Sequence, residues 1–440
     1  MLAERSVPRY TSYPTAPHFS PSIDAAAYGR WLAELPADAS LSIYLHVPYC
    51  VALCNYCGCQ TKAVRSREPV EAYADLLSEE FRLVGAATGA RTVHRIHWGG
   101  GTPSILGPRA LLFLADELSR SFDLTGVREH AIELDPRYVT AELADALVRM
   151  GVNRASLGIQ DLSPHVQEAI GRIQPFDVVA DAVAQLRKAG ITRLNFDLMY
   201  GLPRQSVGDA IRSATLAASL EPARLAVFGY AHVPWLKPHQ RLIASDSLPG
   251  AAERLTQFEQ IRRALTGAGY RPVGLDHFAL ADDELTAAAA ATRLRRNFQG
   301  YTTDQSDALL GFGASAIGLL PQGYVQNAHD AAGYGRKIGM GQFATSRGLR
   351  LSHEDRVRGR IIERLICDFA VDLDAIEDEF DQEPGGFAAE IGALAGFAGF
   401  VEINGRRVTI TPQGRPFARL VAAEFDAYLP KGRARHSCAV

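Results

Sequence analysis

The chain has 440 residues, with 46 Lys plus Arg against 49 Asp plus Glu and a formal net charge of -3 at pH 7, which excludes a generally basic nucleic-acid binder. Hydrophobic residues make up 47% and charged residues 22%, enough apolar material for a large core, so disorder and coiled coil are excluded as well. No run of about 18 apolar residues occurs, and MLAERSVPRYTSYPT lacks the apolar stretch of a signal peptide, so a cytoplasmic protein without a membrane partner is expected. The length predicts two domains, or one large α/β domain with appendages, because single cores stop growing near ~250–300 residues.

In chain order, an N-terminal arm (1–40) precedes six strand-like runs: 41–47, 93–99, 130–136, 154–160, 193–201 and 224–231. Helical spacing fills the gaps, as in VEAYADLLSEEFRLVG and VVADAVAQLRKAG, the latter closed by a glycine where a C-cap falls. Six strand–helix units predict a parallel sheet with right-handed crossovers. Periodicity leaves open whether it is an incomplete TIM-like barrel or an open doubly wound sheet. Beyond residue 250 the chain reads as helical, then irregular and glycine-rich through RNFQGYTTDQSDALLGFGASAIG, a candidate lid or site wall. The catalytic part is expected over 41–344. A small, mainly helical domain with a hairpin turning at Asn404-Gly405 is expected over 345–440, ending in a frayed basic tail.

Polar residues crowd at one end of the strands. A cysteine cluster follows the first, HWGGGTPS closes the second, Glu133 lies late in the third, Gln160 ends the fourth, Asp197 lies in the fifth, and Ala231-His232 ends the sixth. In parallel α/β folds the carboxyl ends of strands carry the site. The cysteines Cys50, Cys54 and Cys57 have C-x3-C-x2-C spacing, with Cys59 two residues on. Three thiolates on one tight loop can hold three irons of a cubane cluster and leave the fourth iron open. Structural zinc favours two separated pairs of ligands, and no second pair exists. Cys367 falls on an apolar helix face and reads as core, while His46, His94 and His97 sit on strands and read as packing or supporting residues.

This cysteine spacing after a first strand resembles the radical S-adenosylmethionine superfamily. Within it, PRYTSYPTA, the CGC ending of the cluster loop, HWGGGTPS, ELDPR, LGIQD, DLMYGLPRQ, YAHVP, RNFQGYTT and GASAIG resemble the oxygen-independent coproporphyrinogen III oxidases over nearly the whole length. The resemblance implies an incomplete TIM-like (β/α)6 barrel with an arm over the active site and a small helical C-terminal domain. It also implies one 4Fe-4S cluster on Cys50, Cys54 and Cys57, with Cys59 a non-ligand that matters for turnover.

By motif position, Tyr44, Tyr56, Gly100, Glu133 and Ile317 surround the S-adenosylmethionine on the cluster. Gly101, Thr102, Gln160, Arg172, Asp197 and Ala231 surround a second molecule of it. Tyr56 stands where some relatives carry Phe, which keeps the stacking face. Gly99 to Gly101 let backbone approach the cofactor where a Cβ would block it. A carboxylate suits a ribose diol and Arg172 a methionine carboxylate. The implied reaction converts two propionates of coproporphyrinogen III to vinyls through a 5'-deoxyadenosyl radical, with electrons from a protein such as flavodoxin or ferredoxin, in a monomer without nucleic acid. Four substrate carboxylates need local cations, for which Arg9 and Arg296 are the candidates. A heme-binding chaperone of the same fold and a heme-degrading radical methyltransferase are the competing readings, and both lack the CGC ending and the PRYTSYPT arm.

Overall fold

A computed structural model of the protein describes residue 2 and residues 5–429; the basic tail and Cys438 lie outside the described residues. Six parallel strands stand side by side in chain order: β1 (Leu41–Val47), β2 (Val93–Gly100), β3 (Glu129–Leu134), β4 (Arg154–Gln160), β5 (Arg193–Tyr200) and β6 (Arg224–Gly229). Every expected strand is present, with ends within two residues of the prediction. The helices between them are amphipathic and cover the sheet, which explains why β1 is buried at all but one position. Residues 176–189 are helical and stop at Gly190, whose φ of 109° satisfies the left-handed cap the sequence predicted.

The sheet does not close on itself. On the free edge of β1, Ala308–Phe312 adds in parallel, followed by an antiparallel meander of Ile317–Leu320, Gly323–Asn327 and Thr345–Arg350. On the edge of β6, His277–Ala279 and Arg271–Val273 add antiparallel, giving twelve strands in one sheet. The incomplete TIM-like barrel is therefore the architecture, and the glycine-rich stretch expected as a lid is partly structural sheet. At the amino ends of the strands Arg95, Arg154 and Arg224 interlock with Glu129, Asp283 and Glu284. This buried ion network fills the end of the barrel away from the cysteine loop.

Two boundaries fall elsewhere than expected. The helix Ala25–Ala33 buries Tyr28, Trp31 and Leu32 in the main core, so only the residues before it act as an arm. Thr345–Arg350 pairs with the meander, which puts the start of the helical unit at the capping box of Ser352 and Asp355 rather than at residue 345. That unit packs the helix His353–Cys367 and a three-stranded sheet into a second core shared with Val273, Leu285, Leu294 and Tyr301, with Cys367 buried as expected. Val7, Tyr10 and Tyr13 of the arm enter the same core, and Tyr10 Oη donates to Asp426 at 2.9 Å. The N-terminal arm is thus pinned to the C-terminal unit across the mouth of the barrel.

Candidate active site

Strand β1 ends in the cysteine loop, whose base is tied by a short parallel pairing of Tyr49–Cys50 with Lys62–Ala63. A cavity of about 430 Å³ opens above the carboxyl ends of the strands. It is lined by Cys50, Cys54, Tyr56, Cys57, Cys59, Gly100, Gly101, Thr102, Glu133, Gln160, Arg172, Asp197 and Ala231, and by Arg9 of the arm. Two expected site residues do not line it. Tyr44 lies one layer lower, stacked 5.9 Å from His97 and hydrogen-bonded to His46 at 2.9 Å. Ile317 sits behind Gly311, the strand partner of Tyr44, with its carbonyl 2.7 Å from where a Gly311 Cβ would stand.

The sulfur atoms are met by donors. Arg172 Nη1 donates to Cys54 Sγ at 3.6 Å, Thr102 Oγ1 donates to Cys50 Sγ at 3.5 Å, and Thr61 Oγ1 lies 3.2 Å from the same sulfur. Such contacts suit thiolates that stay anionic as ligands. Among the described residues no three His, Cys, Asp or Glu side chains converge on a point where one metal ion would sit. Three thiolates on three different irons need no such convergence, so the donor set fits a cubane cluster better than a mononuclear site. Cys59 hydrogen-bonds to Cys57, and this pulls the Cys57 thiol down to about 7 and pushes Cys59 well up.

The glycine motif answers first to the protein's own packing. Gly100 has φ +110°, and a Cβ there would stand 2.7 Å from the His46 ring; one on Gly101 would stand 2.5 Å from the Tyr49 carbonyl. Gly100 N–H donates to Glu133 at 3.2 Å and His97 meets the same carboxylate at 3.1 Å. Burial opposes ionisation of Glu133, yet these partners hold its carboxyl below the usual range. Asp197 behaves oppositely: burial and the charge of Glu133 raise it to about 7. Gln160 is turned into the cavity by a bulge between Gly158 and Gln160, where it takes φ 67°.

Arg172 is 7% exposed and already engaged, pairing with Asp135 at 3.0 Å and donating to the Gly158 carbonyl at 2.8 Å. Asp135 also holds Arg137, which accounts for the Asp and the Arg of the ELDPR string. Sequence reasoning passed over Asp135 and also a staple beneath the cysteine loop. Lys237 Nζ donates to the Cys59 carbonyl at 2.9 Å, His239 meets the Cys57 carbonyl at 2.7 Å, and Gln240 Nε2 donates to the Tyr56 carbonyl at 2.9 Å. Gln240 is fully buried and also reaches the Ala231 carbonyl, so the segment after β6 fixes the loop it covers. Its only sequence signal is its place just after YAHVP.

Comparison with known proteins agrees with this geometry. The Radical SAM superfamily profile matches residues 44–217 and the HemN C-terminal domain profile residues 351–417. An oxygen-independent coproporphyrinogen III oxidase of Bradyrhizobium diazoefficiens is 48% identical over 440 residues, covering 99% of this chain and 98% of the relative. The protein of that name from Escherichia coli is 36% identical, covering 96% and 93%. A solved structure described as "Coproporphyrinogen III oxidase (HemN) from Escherichia coli is a Radical SAM enzyme" superposes with a TM-score of 0.90 at 34% identity, covering 97% of this chain and 100% of the other.

Proposed function

Because the chain belongs to the oxygen-independent coproporphyrinogen III oxidase family of radical S-adenosylmethionine enzymes, we propose that the barrel-mouth cavity is where two propionates of coproporphyrinogen III become vinyl groups, giving protoporphyrinogen IX. The observation that carries this reading is the convergence of the cysteine loop and the polar ends of all six parallel strands on one cavity beneath the arm. Full-length identity to the oxidases favours oxidation over a chaperone or methyltransferase role.

A 4Fe-4S cluster and S-adenosylmethionine, when bound, supply a carbon radical able to take hydrogen from an unactivated C–H bond, beyond the reach of side-chain acids and bases. The protein's part is to bind, orient and shield these groups. Cys50, Cys54 and Cys57 would hold three irons, with Thr61, Thr102 and Arg172 hydrogen-bonding to the sulfurs. Tyr56 would offer a ring face to the adenine, and Glu133, kept ionised by His97 and Gly100, would offer its carboxylate oxygens to a ribose. Tyr44 and Ile317 would support this pocket from below rather than touch its ligand. Gly101, Thr102, Gln160, Asp197, Ala231 and Arg172 would hold a second cofactor molecule; the Arg172 Nε, buried and without a hydrogen-bond partner, keeps a donor for it. Cys59, beside Cys57 and open to the cavity, would act in turnover and not as a ligand. The substrate radical loses carbon dioxide and passes one electron to an external acceptor. A flavodoxin or ferredoxin in the cytoplasm would reduce the cluster of a monomeric enzyme.

Anaerobic turnover of the reconstituted protein tests the reading. Protoporphyrinogen IX formed with consumption of S-adenosylmethionine is the expected result. Cofactor cleavage with the propionates left intact would reject it.

A further inference from the structure

A second cavity, of about 140 Å³, lies beside the cofactor cavity, and Arg9, Phe228 and Gly229 line both. Its arginines come from four parts of the chain. The arm supplies Arg9, helix Ala251–Gly267 supplies Arg254, the 295–302 hairpin supplies Arg296, and the C-terminal unit supplies Arg415 and Arg419. One carboxylate, Asp276, faces these five guanidinium groups.

Like charges repel and buried donors without partners are penalised, so the orphaned guanidinium atoms of Arg254 and Arg296 in this lining call for an anionic occupant. Asp276 serves Arg296 at 3.7 Å and His277 at 2.7 Å, and it is the one acidic side chain of the lining among the described residues. The Arg296 side chain is 7% exposed and stacked 4.5 Å from Tyr301, and its Nε and Nη1 have no hydrogen-bond partner. Arg254 Nε is likewise unpartnered beside Tyr200. Arg9 spends one donor on the Gly229 carbonyl at 2.7 Å. Burial above all, and then the nearby Arg419, lower its pKa to about 10.

We infer that this five-arginine cavity is the anchoring site for the carboxylates of the substrate that are not reacting. The inference rests on the functional reading above and extends it. With one propionate placed at the cofactor cavity, the other carboxylates of a tetrapyrrole need cations at a distance across the ring, which four half-buried arginines and the exposed Arg415 supply. Arg9 stands between the two cavities, so a molecule spanning both passes beside it. Guanidinium forks suit this task because each can grip a carboxylate with two parallel donors. Several equivalent forks also let the ring dock again with a second propionate at the reacting position. Arg415 and Arg419 belong to the C-terminal unit and Arg9 to the arm, which gives both appendages a direct role in choosing the substrate.

The test is equilibrium binding of coproporphyrin III, the fluorescent oxidised ring with the same four carboxylates, to the cluster-loaded protein under anaerobic conditions. Deuteroporphyrin IX, with two carboxylates, is the comparison ligand. Arg254→Gln and Arg415→Gln are each expected to weaken coproporphyrin III binding by about tenfold or more, the loss of a charge-assisted pair, and to narrow the preference over deuteroporphyrin IX. Arg254→Lys, which keeps the charge and guards against a folding defect, should recover part of the loss. Cluster absorbance and S-adenosylmethionine binding should stay unchanged, and turnover should show a raised KM with release of the monovinyl, three-propionate intermediate. Variants that bind coproporphyrin III as the unmodified protein does would overturn the anchoring site while leaving the oxidase reading in place. Failure of the unmodified protein to bind coproporphyrin III would count against the oxidase reading itself.

Discussion

Cys59 and Cys57 lie two residues apart and share a hydrogen bond, yet only one is expected to hold iron. Cys50→Ala, Cys54→Ala and Cys57→Ala should each lose the visible absorption and iron content of the cluster, whereas Cys59→Ala should keep both; loss in the Cys59 variant would make it a ligand. Asp197 supplies a pH signature. Burial and the neighbouring Glu133 raise its carboxyl to about 7, so the folded protein keeps a proton that the unfolded chain has already released. Its contribution to stability is full below the unfolded carboxylate range and is lost as pH rises through 7. Asp197→Asn should therefore flatten the fall in Tm of the cofactor-free protein between about pH 5 and pH 8, a difference of about 1–2 kcal/mol with partial exposure to the cavity discounted. A ribose prefers the ionised acceptor, so cofactor affinity at this position should rise over the same interval and cease to do so in the variant. Equal pH profiles would remove Asp197 from the cofactor site. The residue types at these positions were legible because strand ends rarely carry so many polar groups. What they face was not: Asp135 reads as a turn former, and only the fold brings it within 3.0 Å of Arg172.

The six parallel strands could be read from β-branched runs spaced by helical periods, and the cysteine loop from its spacing. The strands that extend the sheet at both edges escaped, because segments such as Ile317–Leu320 and His277–Ala279 are too short to show a period of two. The staple under the cysteine loop escaped for another reason: its three side chains leave the start of the short 3-10 helix Pro238–Leu242 and meet carbonyls about 180 residues away. Removing it should loosen the loop and spare the barrel. Gln240→Ala is predicted to speed iron release to a chelator several-fold and to cost about 1–3 kcal/mol, because two buried carbonyls and one N–H lose their partner. Chelation at the unmodified rate would assign Gln240 to loop packing alone.

Across the whole molecule, function and stability occupy opposite ends of the barrel. The amino end is closed by Arg95, Arg154 and Arg224 around Glu129; burial opposes its ionisation, but the three arginines lower its pKa to about 2. That stability is present above the ordinary Glu range and lost as pH falls toward 2, and Glu129→Gln should cost about 3–5 kcal/mol at neutral pH by stranding buried guanidinium groups. A thermal melt checks this, and an unchanged Tm would contradict it. The carboxyl end bears the cysteine loop, the cofactor cavity and the arginine cavity, roofed by an arm that Tyr10 and Tyr13 tie to the C-terminal unit. The central claim is that this end delivers a radical to a substrate propionate. The most direct measurement uses coproporphyrinogen III deuterated at the propionate β carbons, with mass analysis of the 5'-deoxyadenosine formed during anaerobic turnover. Deuterium is expected in the 5'-deoxyadenosine together with loss of carbon dioxide from the substrate; unlabelled 5'-deoxyadenosine accompanying vinyl formation would contradict radical delivery to the propionate.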